Sequence, residues 1–296
     1  MISVIIPTYN RLNRLQNCLR SVLALNYIDY EIIIVNDGST DGTRDWLDRF
    51  NKPKIKSIHH LKNLGPSASR NTGINLASGN ILAFTDDDCI VDGNWLIELE
   101  KVLRNNPCDF VFGATYYISK HYKGYFPERL TSNGGGTWPG GANIAFKKEV
   151  FEKIGGFNSD FDKYHNEDTE TAIRAVAKGC EYKRAPNALV FHQPDKWTTQ
   201  SLLSSAKNLS VWPALKSKFP KHYLVFGGPT KWKIAAEPSD YLKIVFLPIL
   251  ILILFVRYLY RGKRDLKIFF TKWPVWLILR RWYVWKESIK HRVFFA

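Results

Sequence analysis

Three consecutive aspartates, Asp86-Asp87-Asp88, follow the apolar run 80–85 (NILAFT). Adjacent carboxylates repel one another, so the cluster is costly unless a cation sits on it. Alternate residues on an extended turn can address one divalent ion, and oxygen ligands beside a phosphate suit Mg2+ or Mn2+. A solvated acidic turn is the other reading, and so short a motif does not decide between them. A second pair, Glu167-Asp168, opens a helical stretch. Acids at a helix start are favoured by the dipole alone. A carboxylate held near a hydroxyl in a partly desolvated pocket is instead a general base. His192 ends the apolar run 188–191 and is either a third metal ligand or a structural histidine. Asp37 follows the run 31–35 (EIIIV). It is placed to accept hydrogen bonds from a base or ribose, or simply to form a turn before Gly38. Arg70, in SASRNTG, either pairs with a diphosphate or is an ordinary helix charge.

The elements that must position these residues alternate. Continuous apolar runs at 3–6, 31–35 and 80–85, with a weaker one at 54–59, read as buried strands. Between them, 11–25, 43–50 and 67–77 carry helical stripes or helix-start signals. Buried strands spaced by helices predict an α/β fold with a mostly parallel sheet covered on both faces. Ligands of such sheets sit at the carboxyl ends of the strands, where the clusters 7–10, 36–37 and 86–88 fall. Further on, 133–141 (NGGGTWPGG) is a glycine-rich loop with one tryptophan, and Ala172, Ile173, Val176 and Ala177 give the helix after Asp168 one apolar face.

Six segments carry a resemblance: 3–11 (SVIIPTYNR), 35–43 (VNDGSTDGT), 63–74 (NLGPSASRNTGI), 81–96 (ILAFTDDDCIVDGNWL), 140–157 (GGANIAFKKEVFEKIGGF) and 166–179 (NEDTETAIRAVAKG). In this order and spacing they resemble family-two glycosyltransferases of the GT-A fold, over residues 1–195. The resemblance implies an inverting transfer from a nucleotide-diphosphate sugar, a UDP-sugar being the expected donor, to a hydroxyl of a glycan or lipid-linked acceptor. It implies a nucleotide-sugar site of Pro7, Thr8, Tyr9, Asp37, Arg70, Asp86 and Asp87. Asp86 and Asp88 would form the DxD pair for Mn2+ or Mg2+, with His192 as the downstream histidine near the metal. Trp138, Gly141, Asn143 and Glu167 would line the sugar and acceptor pocket, and Asp168 would be the base. The processive synthases of the family carry QxxRW. The nearest string here, 278–282 (ILRRW), has isoleucine where glutamine belongs, so a non-processive enzyme is expected. Two other readings stand beside this one: transfer to a polyprenyl phosphate, which needs no strong base, and a nucleotide-binding membrane protein without catalysis. The intact acidic motifs argue against the last.

Composition sets the remaining bounds. The net charge is +15, yet residues 231–296 alone hold 14 Lys and Arg against 4 Asp and Glu. That tail is also rich in Trp, Tyr, Phe and aliphatic residues, which favours an anionic membrane surface over nucleic acid. The predicted organisation is a catalytic domain at 1–225, a linker at 226–240 and a hydrophobic, basic helical tail at 241–296 that associates with membrane. Within the tail, 241–260 as a helix reaches about 30 Å, just enough to span a bilayer. A single span would place 257–296, with 11 basic and two acidic residues, on the side opposite the nucleotide-sugar pool. That conflicts with the positive-inside tendency. A re-entrant or in-plane arrangement at the cytoplasmic face of the cell membrane, peripheral or monotopic, removes the conflict. No basic, apolar leader run opens the sequence, so no signal peptide is expected. Cys18, Cys89, Cys108 and Cys180 share no metal-ligand spacing and read as free thiols.

Overall fold

The structure is a computed structural model of the chain. It describes residues 1–50, 53–118, 132–193, 198–227, 230–231, 235–236, 238–260 and 271–295. Parts of the expected linker (228–229, 232–234 and 237) and of the expected tail (261–270) lie outside the described residues. The chain divides into two compact units. The first comprises Met1–Ile118, Thr131–Asp162 and Glu167–Gln193; the second is built on Lys163–Asn166 and Pro194–Ala296.

The first unit opens with β1 (Ile2–Thr8), α1 (Leu12–Leu23), β2 (Tyr30–Asn36), α2 (Thr43–Arg49), β3 (Ile55–His59), α3 (Pro66–Leu76) and β4 (Ile81–Phe84). β5 (Cys89–Val91), α4 (Trp95–Asn105), β6 (Phe110–Tyr117), β7 (Ile144–Lys147), α5 (Glu149–Ile154), α6 (Glu167–Ala177) and β8 (Tyr182–His192) complete it. The eight strands form one sheet in the order β3-β2-β1-β4-β7-β6-β8-β5. β3, β2, β1 and β4 are mutually parallel, as the apolar runs require. β7 then enters antiparallel to both β4 and β6, so the second half of the sheet is mixed.

Alternation along the strands sends side chains to both faces. Ile2, Val4 and Ile6 of β1 and Ile32 and Ile34 of β2 join one core cluster with Leu15, Cys18, Leu19 and Val22 of α1. Ile5 points the other way, against Gly73 of α3. All four cysteines are buried and free, as expected.

The sheet contains one irregularity that its sequence explains. β6 runs parallel to β8, but Gly113 faces Ala185 whereas Ala114 faces Leu189. Residues 186–188 therefore bulge from the ladder. The amide of Asn143 fills the bulge, donating to the carbonyls of Ala188 (2.8 Å) and Ala114 (3.0 Å) while accepting from the Trp95 indole (2.8 Å). A Cβ at Gly113 would lie 2.3 Å from the Ala188 oxygen, so only glycine fits there. The family resemblance implies a sugar-pocket role for Asn143; in the structure its side chain lies inside the sheet. Its side chain is 0% exposed and all of it is spent on the scaffold.

The second unit is helical: α7 (Thr199–Ser205), α8 (Val211–Lys218), α9 (Ser239–Val245), α10 (Leu247–Tyr260) and α11 (Trp273–Lys290), with a two-stranded ribbon of β9 (Thr230–Lys231) and β10 (Ala235–Ala236). α11 packs against α7, α8 and α9. Asp240 of α9, 0% exposed, ties the last of these contacts through Arg280 (3.1 Å) and Arg281 (3.3 Å) of α11. No helix among the described residues is long and apolar enough to cross a membrane.

The bulge gives the first prediction. Asn143→Ala leaves an indole N–H and two carbonyls without partners, and each buried unpaired group costs about 1–3 kcal/mol. Urea denaturation is expected to show a loss on the order of 3 kcal/mol. Unchanged stability with altered sugar-donor affinity would instead restore Asn143 to a pocket.

Candidate active site

The carboxyl ends of β1, β2 and β4 converge, and the acidic residues follow them. Beyond β4, Asp87 and Asp88 are buried at 3% and 4% exposure, whereas the Asp86 side chain keeps 29%. The cluster is tolerable only because cations flank it. Arg11 donates to Asp87 (3.0 Å) and Asp88 (2.9 Å), and Arg14, one helical turn on, reaches Asp88 at 3.5 Å. Thr8, at the end of β1, donates to Asp87 (2.7 Å). Burial pushes the Asp87 carboxyl up to about 6, with the Asp88 charge adding to it, against the pull of Arg11 and Thr8. Asp87 and Asp88 are thus both turned inward, and Asp86 is the exposed member of the three.

Asp88 and His192 come together across the β5–β8 pair, where Cys89 lies opposite His192. His192 Nε2 sits 3.2 Å from Asp88 Oδ1, and its Nδ1 donates to the Gln193 carbonyl at 2.9 Å. A neutral ring donating from Nδ1 presents a lone pair at Nε2. Two acceptors then face each other, a geometry that requires a proton or a metal ion between them. Asp88, Cys89 and His192 are the group among the described residues that could hold an ion. Burial and the surrounding aspartates raise the Cys89 thiol well above its ordinary value in the absence of an ion. Asp88 offers an oxygen and His192 a nitrogen to the same point. Asp86 does not join them here; Arg70 holds its Oδ1 at 2.8 Å.

Arg70 is the joint between the two acidic motifs. The sequence left open a surface helix charge; the structure excludes it, with 3% exposure. One end of the guanidinium meets Asp86 and the other meets Glu167 Oε1 at 2.6 Å. Burial alone would lower its pKa, but the carboxylates of Asp86, Glu167 and Asp168 more than offset this and hold it charged. Gly141 allows the approach: a Cβ there would stand 2.6 Å from the guanidinium. The Gly141 amide donates to Asp168 Oδ2 at 2.7 Å, and the Thr169 amide donates to Oδ1 at 2.6 Å. Desolvation, then the Glu167 charge, push Asp168 up to about 6 despite those donors and Arg70. Trp138, from the glycine-rich loop, donates its indole to Thr169 (3.1 Å). Trp138, Gly141, Glu167 and Asp168 therefore do assemble.

The β2 side is more enclosed than the sequence suggested. Asp37 is 3% exposed and accepts from the amides of Leu64 (2.9 Å) and Gly65 (2.8 Å) and from His60 Nδ1 (2.7 Å). Its carboxylate shapes the loop before α3, while Tyr9, after Pro7 and Thr8, is exposed at 44%. His60 completes the network by receiving Thr72 at Nε2 (3.0 Å). Beyond the loop, Ser67 donates to Asp162, whose carboxyl burial raises to about 6. Arg11, Arg14, His60 and Asp162 were missed from sequence. Arg11 and Arg14 carried a usable signal, being basic residues three apart at the start of the helix that follows β1.

Comparison with known proteins identifies the family. The model of Glycosyl transferase family 2 matches residues 3–178. An uncharacterised glycosyltransferase of Rickettsia bellii is 36% identical over 154 residues, 52% of this chain and 20% of that protein. The UDP-Glc:alpha-D-GlcNAc-diphosphoundecaprenol beta-1,3-glucosyltransferase WfgD of Escherichia coli is 31% identical over 137 residues, 45% of this chain and 54% of that one. The chain thus spans only part of the length of these relatives. Among solved structures, the mannosyltransferase PcManGT of Pyrobaculum calidifontis, in complex with GDP-Man and Mn2+, aligns with a TM-score of 0.61 at 18% identity. That alignment covers 98% of this chain and 86% of that one, a likeness of fold, and the fold is GT-A. With more than half of its length inside the family model, and with both acidic motifs assembled on one sheet edge, this chain belongs to glycosyl transferase family 2.

Proposed function

We propose that the chain transfers a sugar from a nucleotide-diphosphate donor, a UDP-sugar, to a hydroxyl of a glycan or lipid-linked acceptor, with inversion at the anomeric carbon. One observation carries the reading. Buried Arg70 joins Asp86 (2.8 Å) to Glu167 (2.6 Å), so the triple aspartate and the Asp168 carboxylate belong to one site. The relatives support the donor class: one is named for UDP-Glc and one structure holds GDP-Man.

Asp88 and His192 would hold a divalent ion, since the carboxylate and the imidazole nitrogen face one point 3.2 Å apart. The carboxylate oxygens suit Mn2+ or Mg2+. When bound, such an ion offsets the negative charge that grows on a departing diphosphate. The chain's own contribution is positional and basic. The amides of Gly141 and Thr169 fix the Asp168 carboxylate, and Glu167 keeps its proton affinity high without being free to compete, since Arg70 holds it. Asp168 accepts the acceptor's hydroxyl proton as the oxygen attacks the anomeric carbon. A single displacement inverts that carbon.

Two predictions test this. Asp168 must be ionised to act, and its pKa of about 6 sets the window. Below it, kcat/KM is expected to fall about tenfold per pH unit; above it, the acid limb is flat. Asp168→Asn is expected to lower turnover by about a hundred- to ten-thousand-fold and to abolish that limb, with nucleotide binding retained. Full turnover in the Asn variant would contradict the base and favour a phosphate acceptor. For the metal, calorimetry with UDP and Mn2+ is expected to show at least about tenfold weaker binding for Asp88→Asn, equivalent to about 1.4 kcal/mol. Equal affinity with and without Mn2+ in the native protein would contradict the metal assignment.

A further inference from the structure

We infer that α10 and the exposed apolar face of α11 dock into one leaflet of an anionic lipid bilayer, entering and leaving on the same side. This inference concerns the second unit alone and does not rest on the transfer chemistry.

α10 is apolar around its whole circumference, LPILILILFV before its first charged residue, yet none of its described side chains is buried. Leu252 and Val256 are 67% and 68% exposed. A helix apolar on every side belongs in a core or in lipid, not in water. α11, which packs on the same α9, is apolar on two faces. Trp273, Leu277, Val284 and Ser288 turn into the unit, while Val275, Ile278, Trp282, Trp285 and Ile289 are exposed. The exposed set recurs at alternating spacings of three and four, which lines it up on one face. Lys286 and Lys290 flank that face, and both are exposed.

Topology and length decide between crossing and lying. α10 follows α9 directly, and the chain returns to pack α11 against α9, fixed by Asp240 with Arg280 and Arg281. Whatever α10 enters, the chain comes back on the side it left. The 14 described residues of α10 reach about 21 Å, against the roughly 30 Å hydrocarbon layer.

Charge selects the occupant. Residues 231–296 carry 14 basic against 4 acidic residues. A second copy would bring the same basic surface against itself, whereas an anionic lipid face complements it. Exposed tryptophans beside lysines on a short apolar helix pair are the composition of a membrane interface.

Flotation of the full-length protein with vesicles provides the test. Vesicles of phosphatidylcholine with phosphatidylglycerol are expected to carry it, vesicles of phosphatidylcholine alone to carry it weakly, and salt to release it. The double variant Leu252→Glu, Ile253→Glu is expected to lower partitioning at least about tenfold, because both side chains lose their transfer free energy. Its urea midpoint should not change, since neither side chain is buried. The four native thiols are buried, so an environment-sensitive dye on Leu252→Cys can report depth. Its quenching should be strongest with lipids brominated near the headgroup. Protein that remains in the vesicle-free fraction overturns the inference. So does quenching strongest at the bilayer centre, which means a span. A concentration-dependent dimer lost in the double variant, without flotation, overturns it in favour of a second copy.

Discussion

A single buried arginine holds the two acidic motifs together. Asp86 and Glu167 lie far apart in the chain, and each would repel its acidic neighbours if left alone. Arg70 meets one with each end of its guanidinium, at 2.8 and 2.6 Å. Removing one partner from a buried charge set is far more costly than the set is favourable, so the arrangement is rigid by default. The close approach of Gly141 to that guanidinium, and the Gly141 amide on Asp168, extend the same constraint to the Asp168 carboxylate. Arg11 and Arg14 do for Asp87 and Asp88 what Arg70 does for Asp86.

The scaffold supplies the rest of the precision. β1, β2 and β4 deliver their following residues to one edge because they run parallel and in register. The bulge in β8, plugged by Asn143, sits in the strand that ends at His192. The site therefore depends on a polar plug inside the sheet, and that plug is as sensitive to substitution as any apolar core residue.

The first half of the sheet was legible because its strands are continuous apolar runs separated by helical stripes. The second half was not. β5 is three residues long, and β7 is antiparallel, which no local pattern announces. Asp86, Asp88, Asp168 and His192 stood out in the sequence because their residue types are chemically specific and their segments keep a family order. The scaffold role of Asn143 was not legible, because an asparagine that satisfies a bulge and one that binds a sugar look alike until the carbonyls of Ala114 and Ala188 are seen. Asp37 was similarly ambiguous. Its hydrogen bonds go to Leu64 and Gly65, residues whose proximity arises only when α3 folds onto the sheet.

Desolvation and Glu167 hold the Asp168 carboxylate at high proton affinity. Carbon-13 NMR titration of the Asp168 carboxyl measures this directly. The account gives a midpoint of about 6 in the native protein. It also gives a lower midpoint in Glu167→Gln, which removes the neighbouring charge while keeping a partner for Arg70. A native midpoint in the ordinary carboxylate range, unmoved by Glu167→Gln, would contradict it.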